Sequence, residues 1–146
     1  MTLDIRPLRQ NDHADWRRLW TAYLQFYDST VPEEVYDTTF GRLLSDDHPD
    51  QNAFIAVQDG RGVGLVHYIT HPHNWRVEKV VYLQDLYADP SVRGTGVGRA
   101  LIEKVYQAAD KNGTPAVYWL TQDFNAKARQ LYDRVAHLTP FIKYQR

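Results

Sequence analysis

The chain contains no cysteine, which excludes disulfide staples, iron–sulfur clusters, thiolate zinc sites and a cysteine nucleophile. Its stability must therefore come from an apolar core. Long hydrophobic runs are missing as well. Stretches such as Val80-Val81-Tyr82-Leu83 stop far short of the roughly 20 apolar residues of a membrane-spanning helix, so no membrane partner is expected. Nor is there a surplus of one charge: 17 Lys and Arg against 18 Asp and Glu leave a net charge of -1, which argues against nucleic-acid binding by bulk electrostatics. Residues Met1 to Pro7 carry no apolar core of an export signal, and with the lack of cysteine this predicts a cytoplasmic location.

What is present suits one globular domain over residues 1–146. A chain of 146 residues that is 43% hydrophobic matches the ordinary single-domain size and composition. Leu3 and Ile5 alternate with polar neighbours and predict a short strand closed by Pro7. Asp12 can cap a helix whose residues Trp16, Leu19, Trp20, Tyr23, Leu24 and Tyr27 share one face. This face predicts core, with the tyrosine hydroxyls reaching the substrate cleft. Pro32, Glu33 and Glu34 suit the first turn of a second helix, continued by Tyr36, Phe40, Leu43 and Leu44. Residues Asn52 to Ile69 read as two strands joined by an Asp59-Gly60 hairpin turn. A third strand from about Val77 to Ala88 is apolar on both faces, predicting helices on each side of the sheet. Leu101, Ile102, Val105, Ala108 and Ala109 trace a helix that ends near Asn112-Gly113. A strand from Pro115 to Thr121, a helix from Asn125 to about Ala136 and a last strand at Phe141 to Tyr144 complete the pattern. The expected fold class is α/β (α+β), with a mixed, mostly antiparallel sheet.

The segment Arg93-Gly94-Thr95-Gly96-Val97-Gly98-Arg99 lies between a buried strand and an amphipathic helix. Three glycines allow a tight turn with inward amides, and the helix that follows adds unpaired N–H groups and partial positive charge. A pyrophosphate suits such a turn, with Arg93 and Arg99 on its flanks; a plain strand-to-helix connection is the alternative. No Gly-Lys-Ser/Thr follows, and the G-x-G-x-G spacing departs from the dinucleotide fingerprint G-x-G-x-x-G.

Arg93 to Gly98 resembles the Arg/Gln-x-x-Gly-x-Gly/Ala signature of the GNAT N-acetyltransferase superfamily. Leu86-Tyr87-Ala88-Asp89-Pro90 is similar to the lead-in of that signature, and Asn125-Ala126-Lys127-Ala128-Arg129-Gln130-Leu131-Tyr132 to a later helix motif of the family. Tyr118 to Gln122 and the tail Phe141 to Tyr144 resemble the Hpa-type histone, polyamine and D-amino-acid acetyltransferases. The resemblance implies acetyl-CoA as cosubstrate. Its pyrophosphate would rest on the amides of Gly94, Thr95, Gly96, Val97, Gly98 and Arg99, and its pantetheine would pair with the backbone of Leu86, Tyr87 and Ala88. It also implies two central strands that splay apart, an amine acceptor and frequent homodimers, for which the apolar C-terminal strand is a candidate contact, an intramolecular strand explaining that segment equally well.

Asn125 and Tyr132 are about two helical turns apart and differ by only about 20° in direction, so they share a face. Taken alone they read as a helix cap and a core tyrosine. The resemblance makes Tyr132 the general acid for the departing thiolate and places Asn125 beside the cofactor. Gln84 stands where several relatives carry glutamate, and it cannot accept a proton. Asp85 points to the opposite face unless a bulge intervenes, so it is a substrate-site carboxylate or a hydrogen-bonded structural one. Water-mediated proton loss aided by Glu33, Glu34 or Tyr87 is the other route. Glu34 belongs with Asp37, Asp46 and Asp47 to an acidic segment able to attract a polyamine or lysine-rich peptide, and amino acids are equally open as acceptors. His71 and His73 lie around Pro72 in a polar loop and no spacing puts them and His67 on one regular face, so loop histidines near the substrate entrance are the simpler reading and no metal is expected. Without cysteine, direct acetyl transfer in a ternary complex is the simpler route. A non-catalytic acyl-CoA-binding module is the rival that the Gln84 departure suggests.

Overall fold

The computed structural model describes residues 2–146; Met1 lies outside them. Five strands form one sheet in the order β1-β2-β3-β4-β5: β1 is Leu3–Pro7, β2 Gln51–Gln58, β3 Arg61–His71, β4 Val80–Ala88 and β5 Val117–Tyr118. The first four pair antiparallel and β5 pairs parallel to β4. Helices α1 (His13–Phe26) and α2 (Glu33–Leu43) precede β2, α3 (Val97–Lys111) joins β4 to β5, and α4 (Ala126–Val135) follows β5. No helix among the described residues is long and apolar enough to cross a membrane.

Burial on both faces of the sheet follows from strand alternation. In β2, Ala53 and Ile55 pack with Trp16, Leu19, Trp20, Tyr36 and Phe40 of α1 and α2. Phe54 and Ala56 face the other way, into a cluster built on Leu101, Ile102 and Val105 of α3. Asp59 and Gly60 both have positive φ, 53° and 75°, the geometry of a two-residue hairpin turn between β2 and β3. Pro7 sits on an edge strand, where its missing N–H breaks no ladder.

Four expectations change. Asp12 does not cap α1 with its side chain. Its carboxylate instead accepts from both Arg6 terminal nitrogens at 2.7 and 2.9 Å and from the Arg9 backbone N–H at 2.7 Å. The guanidinium of Arg6 holds Asp12 below the usual carboxylate range and ties β1 to the start of α1. Second, β4 begins at Val80 rather than Val77, because Val77 is fully exposed. Third, the strand expected from Pro115 to Thr121 is reduced to the two residues of β5, since the chain leaves β4 at once. Fourth, Phe141 to Tyr144 form no strand. The short β5 offers this segment no ladder, and Phe141, Ile142 and Tyr144 remain exposed.

Candidate functional site

Strand β4 carries a bulge at the position that decides the site. Tyr68 faces Leu83 and His67 faces Asp85, so Gln84 is the extra residue with no partner on β3. A single inserted residue reverses the alternation beyond it. Leu83 therefore enters the α3-side core, while Asp85 turns to the α1 side, where it is 8% exposed. There Asp85 Oδ2 accepts from Trp20 Nε1 at 3.2 Å and pairs with His67 Nδ1 at 2.8 Å. His67 Nε2 lies 2.9 Å from Trp16 Nε1. An indole N–H can only donate, so Nε2 accepts and the imidazole proton sits on Nδ1, pointing at Asp85.

This buried chain opens onto a cavity of about 330 Å³ between α1, α2 and strands β2 to β4. Apolar side chains such as Leu24, Val35 and Leu43 wall it, and Gln84, Asp85, His67 and Asn52 supply polar groups. Glu34 is exposed and is not among the lining residues; Glu33 is paired with Arg17. His67 is thus a buried residue of β3. The sequence signal for it lay in Trp16 and Trp20, one helical turn apart on a buried face, whose N–H groups need acceptors.

On its other side β4 is open. It pairs with β5 at Val81 with Val117 and at Tyr82 with Tyr118 only. Beyond those pairs the two strands part, and among the described residues the β4 backbone from Leu83 to Ala88 has no strand partner on that edge. The parting strands meet a group of tyrosines. The Tyr23 hydroxyl lies 3.5 Å from the Gln84 carbonyl, and Tyr23 and Tyr27 pack with tilted rings, centroids 5.1 Å apart. Tyr132 of α4 packs against Trp119 at 5.4 Å. Burial, reinforced by the nearby Tyr27 hydroxyl, pushes the Tyr132 phenol up to about 12. Burial likewise raises Tyr23, Tyr27 and Tyr82, and each also responds to the negative charge of Asp85. Asn125, at the N-terminal end of α4, donates to Thr121 Oγ1 at 3.4 Å.

The glycine turn follows directly. Asp89 Oδ1 accepts from the Ser91 backbone N–H and hydroxyl at 2.9 and 2.7 Å, setting a short 3-10 turn over Pro90–Val92. Gly94 and Gly96 have φ of 80° and 93°, a region that side-chain-bearing residues rarely adopt. Gly96 is the N-cap of α3, so the first-turn N–H groups of Val97, Gly98 and Arg99 lack partners within the helix. Arg93 Nε donates to the Ala88 carbonyl at 3.1 Å, with the guanidinium 5.5 Å from the Tyr87 ring centroid. Arg99 pairs with Glu103 at 2.8 Å. The structure therefore gathers Leu86, Tyr87, Ala88 and the turn from Arg93 to Arg99 along one edge. Tyr132 and Asn125 share α4 and its start, and Gln84 and Asp85 line the cavity on the α1 side.

The phenols make alkaline stability predictable. Tyr132 and Tyr68 keep their protons to about pH 12 in the folded chain, against an ordinary tyrosine value of 10.0. The unfolded chain releases these protons first, so stability falls as pH rises from about 10 towards 12 and is untouched by them below 10. Urea unfolding midpoints measured across this range should drop, and Tyr132→Phe should lessen the drop. An equal drop in the variant would contradict the assignment of the Tyr132 burial effect.

An open parallel pair beside a glycine-rich helix start, on a mixed α/β sheet, is the arrangement that the resemblance to acetyltransferases implies, and comparison with known proteins shows the family. The acetyltransferase (GNAT) family model matches residues 15–137. The D-amino-acid N-acetyltransferase HPA3 of Saccharomyces cerevisiae is 40% identical over 146 aligned residues, covering 97% of this chain and 89% of that protein. The thialysine N-epsilon-acetyltransferase of Mus musculus is 35% identical over 71 residues, 49% of this chain and 40% of that protein. Among solved structures, the aminoglycoside N-acetyltransferase AAC(6')-Iy in complex with CoA superposes with a TM-score of 0.85 at 21% identity, covering 99% of this chain and 94% of that one. The chain belongs to the GNAT acetyltransferase family and is a transferase enzyme.

Proposed function

We propose that the whole chain, as one domain, transfers the acetyl group of acetyl-CoA to a small primary amine by direct attack in a ternary complex. The observation that carries this reading is the opening of β4 from β5 after two pairs, beside the glycine turn. The residues present fit the cosubstrate. The β4 edge at Leu86, Tyr87 and Ala88, which β5 does not cover, can take a pantetheine arm as an added strand, in place of the Arg93 guanidinium that donates to the Ala88 carbonyl. The amides from Gly94 to Arg99, with Arg93 and Arg99 at the rim, suit a pyrophosphate. Asn125, held to Thr121 at the start of α4, is assigned to the same cosubstrate. When bound, acetyl-CoA supplies an activated acyl group as a thioester.

The chain supplies placement and protons. The acceptor ammonium enters the cavity opposite and is drawn to Asp85, with Gln84 accepting a further N–H at the mouth of the bulge. One proton leaves for water before attack, because Gln84 has no basic atom. The nitrogen then forms its bond to the acetyl carbon as the carbon–sulfur bond breaks. Tyr132 gives its proton to the sulfur and regains one released by the new amide, leaving an N-acetyl amine and free CoA. Amino acids are the first acceptor class to test, since the relative HPA3 is named for D-amino acids. Polyamines and lysine side chains come next, for their cationic amines suit Asp85.

The exposed apolar tail at Leu138, Phe141, Ile142 and Tyr144, with the unextended β5 edge, supports a homodimer in which the tail of one copy pairs with the other. Amide hydrogen exchange with and without CoA tests the cosubstrate site. CoA should slow exchange across Leu83–Ala88 and 94–99; no change in either segment would overturn the placement.

A further inference from the structure

We propose that His67 is a positioning residue for the acceptor amine, acting by fixing the rotamer of Asp85. This rests on the reading above that Asp85 faces the amine. His67 and Asp85 are direct cross-strand partners at the bulge, so the backbone already brings them together. Backbone register alone leaves the carboxylate free to rotate about two side-chain bonds. Three directional contacts remove that freedom. Trp16 Nε1 donates to His67 Nε2 at 2.9 Å, which fixes both the ring plane and the tautomer. His67 Nδ1 then donates to Asp85 Oδ2 at 2.8 Å, and Trp20 Nε1 donates to that same oxygen at 3.2 Å.

Both donors pull on one edge of the carboxylate. Neither donates to Oδ1, the oxygen assigned to the ammonium, and the Tyr23 hydroxyl is the other polar group beside this carboxylate. The elements behind this arrangement are rigid. Trp16 is fully buried and its ring stacks on Trp20 with centroids 5.3 Å apart, so the two indoles that anchor the chain also support each other. His67 itself is 5% exposed, and its two ring nitrogens are taken by Trp16 and Asp85, leaving neither for a ligand. Its place is therefore behind the carboxylate, acting through it.

Two conservative substitutions separate positioning from packing. Asparagine places its amide nitrogen near the histidine Nδ1 position, so His67→Asn retains the donor to Asp85 and loses the acceptor for Trp16. Glutamine places its amide near the Nε2 position, so His67→Gln retains an acceptor for Trp16 and loses the donor to Asp85. Each variant forfeits one buried hydrogen bond, and a purely structural histidine would make the two lose stability and activity alike. The positioning role predicts a split. His67→Gln should raise KM for the amine roughly tenfold, as expected when one hydrogen bond to a charged group is lost, while KM for acetyl-CoA holds. His67→Asn should stay within about threefold of the parent for both. The measurement is steady-state kinetics of both variants and of Asp85→Asn, with thermal unfolding alongside. Equal amine KM in the two histidine variants, or a KM change that tracks their Tm, would overturn the role of His67 while leaving that of Asp85 intact. An unchanged amine KM in Asp85→Asn would overturn both.

Discussion

Tyr132→Phe is expected to lower kcat by roughly a hundredfold or more, within the range a positioned general acid contributes, with KM for acetyl-CoA nearly unchanged. The phenol is partly buried beside Trp119, and phenylalanine fills the same space, so thermal stability near neutral pH should hold. Because burial pushes the phenol up to about 12, the group remains a proton donor at every pH at which the enzyme is assayed. Any alkaline fall in rate between pH 8 and 10 must then come from other groups, and should persist in the phenylalanine variant. An unchanged kcat would remove Tyr132 from the chemistry and leave the proton to water.

Asp85→Asn is the second large effect. The amide has nearly the same shape as the carboxylate and can still accept from His67 and Trp20, so the network behind the cavity survives. What disappears is the negative charge. A charge-assisted contact to an ammonium is worth about 1.5–3 kcal/mol, or roughly ten- to a hundredfold in affinity. KM for the amine should rise by that factor, with kcat affected less and KM for acetyl-CoA unaffected. The phenols provide a check independent of turnover: Tyr23, Tyr27 and Tyr82 each feel the Asp85 charge, so their spectroscopic titration should move to lower pH in the variant. A loss of stability with an unchanged amine KM would make Asp85 a structural carboxylate.

Much of the fold is legible in the residues because it follows local rules. Asp59-Gly60 specifies its turn through positive φ, the α1 and α3 stripes follow the helical period, and the doubly apolar β4 requires helices on both faces. The glycine turn is legible for the same reason: Gly94 and Gly96 adopt backbone angles that few other residues accept. The features that resist reading depend on pairing. Nothing in Leu83-Gln84-Asp85 reveals an extra residue until β3 is laid beside it, yet that residue turns Asp85 from the α3 side to the α1 side. His67 resembles His71 and His73 as a residue type, and only register sets it against a carboxylate. The tail at Phe141-Ile142-Lys143-Tyr144 has a strand's composition, but composition cannot supply the missing edge.

In the proposed reaction the open β4 edge and the Asp85 cavity bring an acetyl thioester and an amine together. Its most direct test is CoA thiol release from acetyl-CoA with D- and L-amino acids, spermidine, lysine and a lysine-rich peptide, each set against a blank without amine. Amine-dependent release is expected, with the N-acetylated amine formed in equal amount and no acetyl group left on the protein. Release no faster than the blank across the panel, from a protein that still binds CoA, would contradict it.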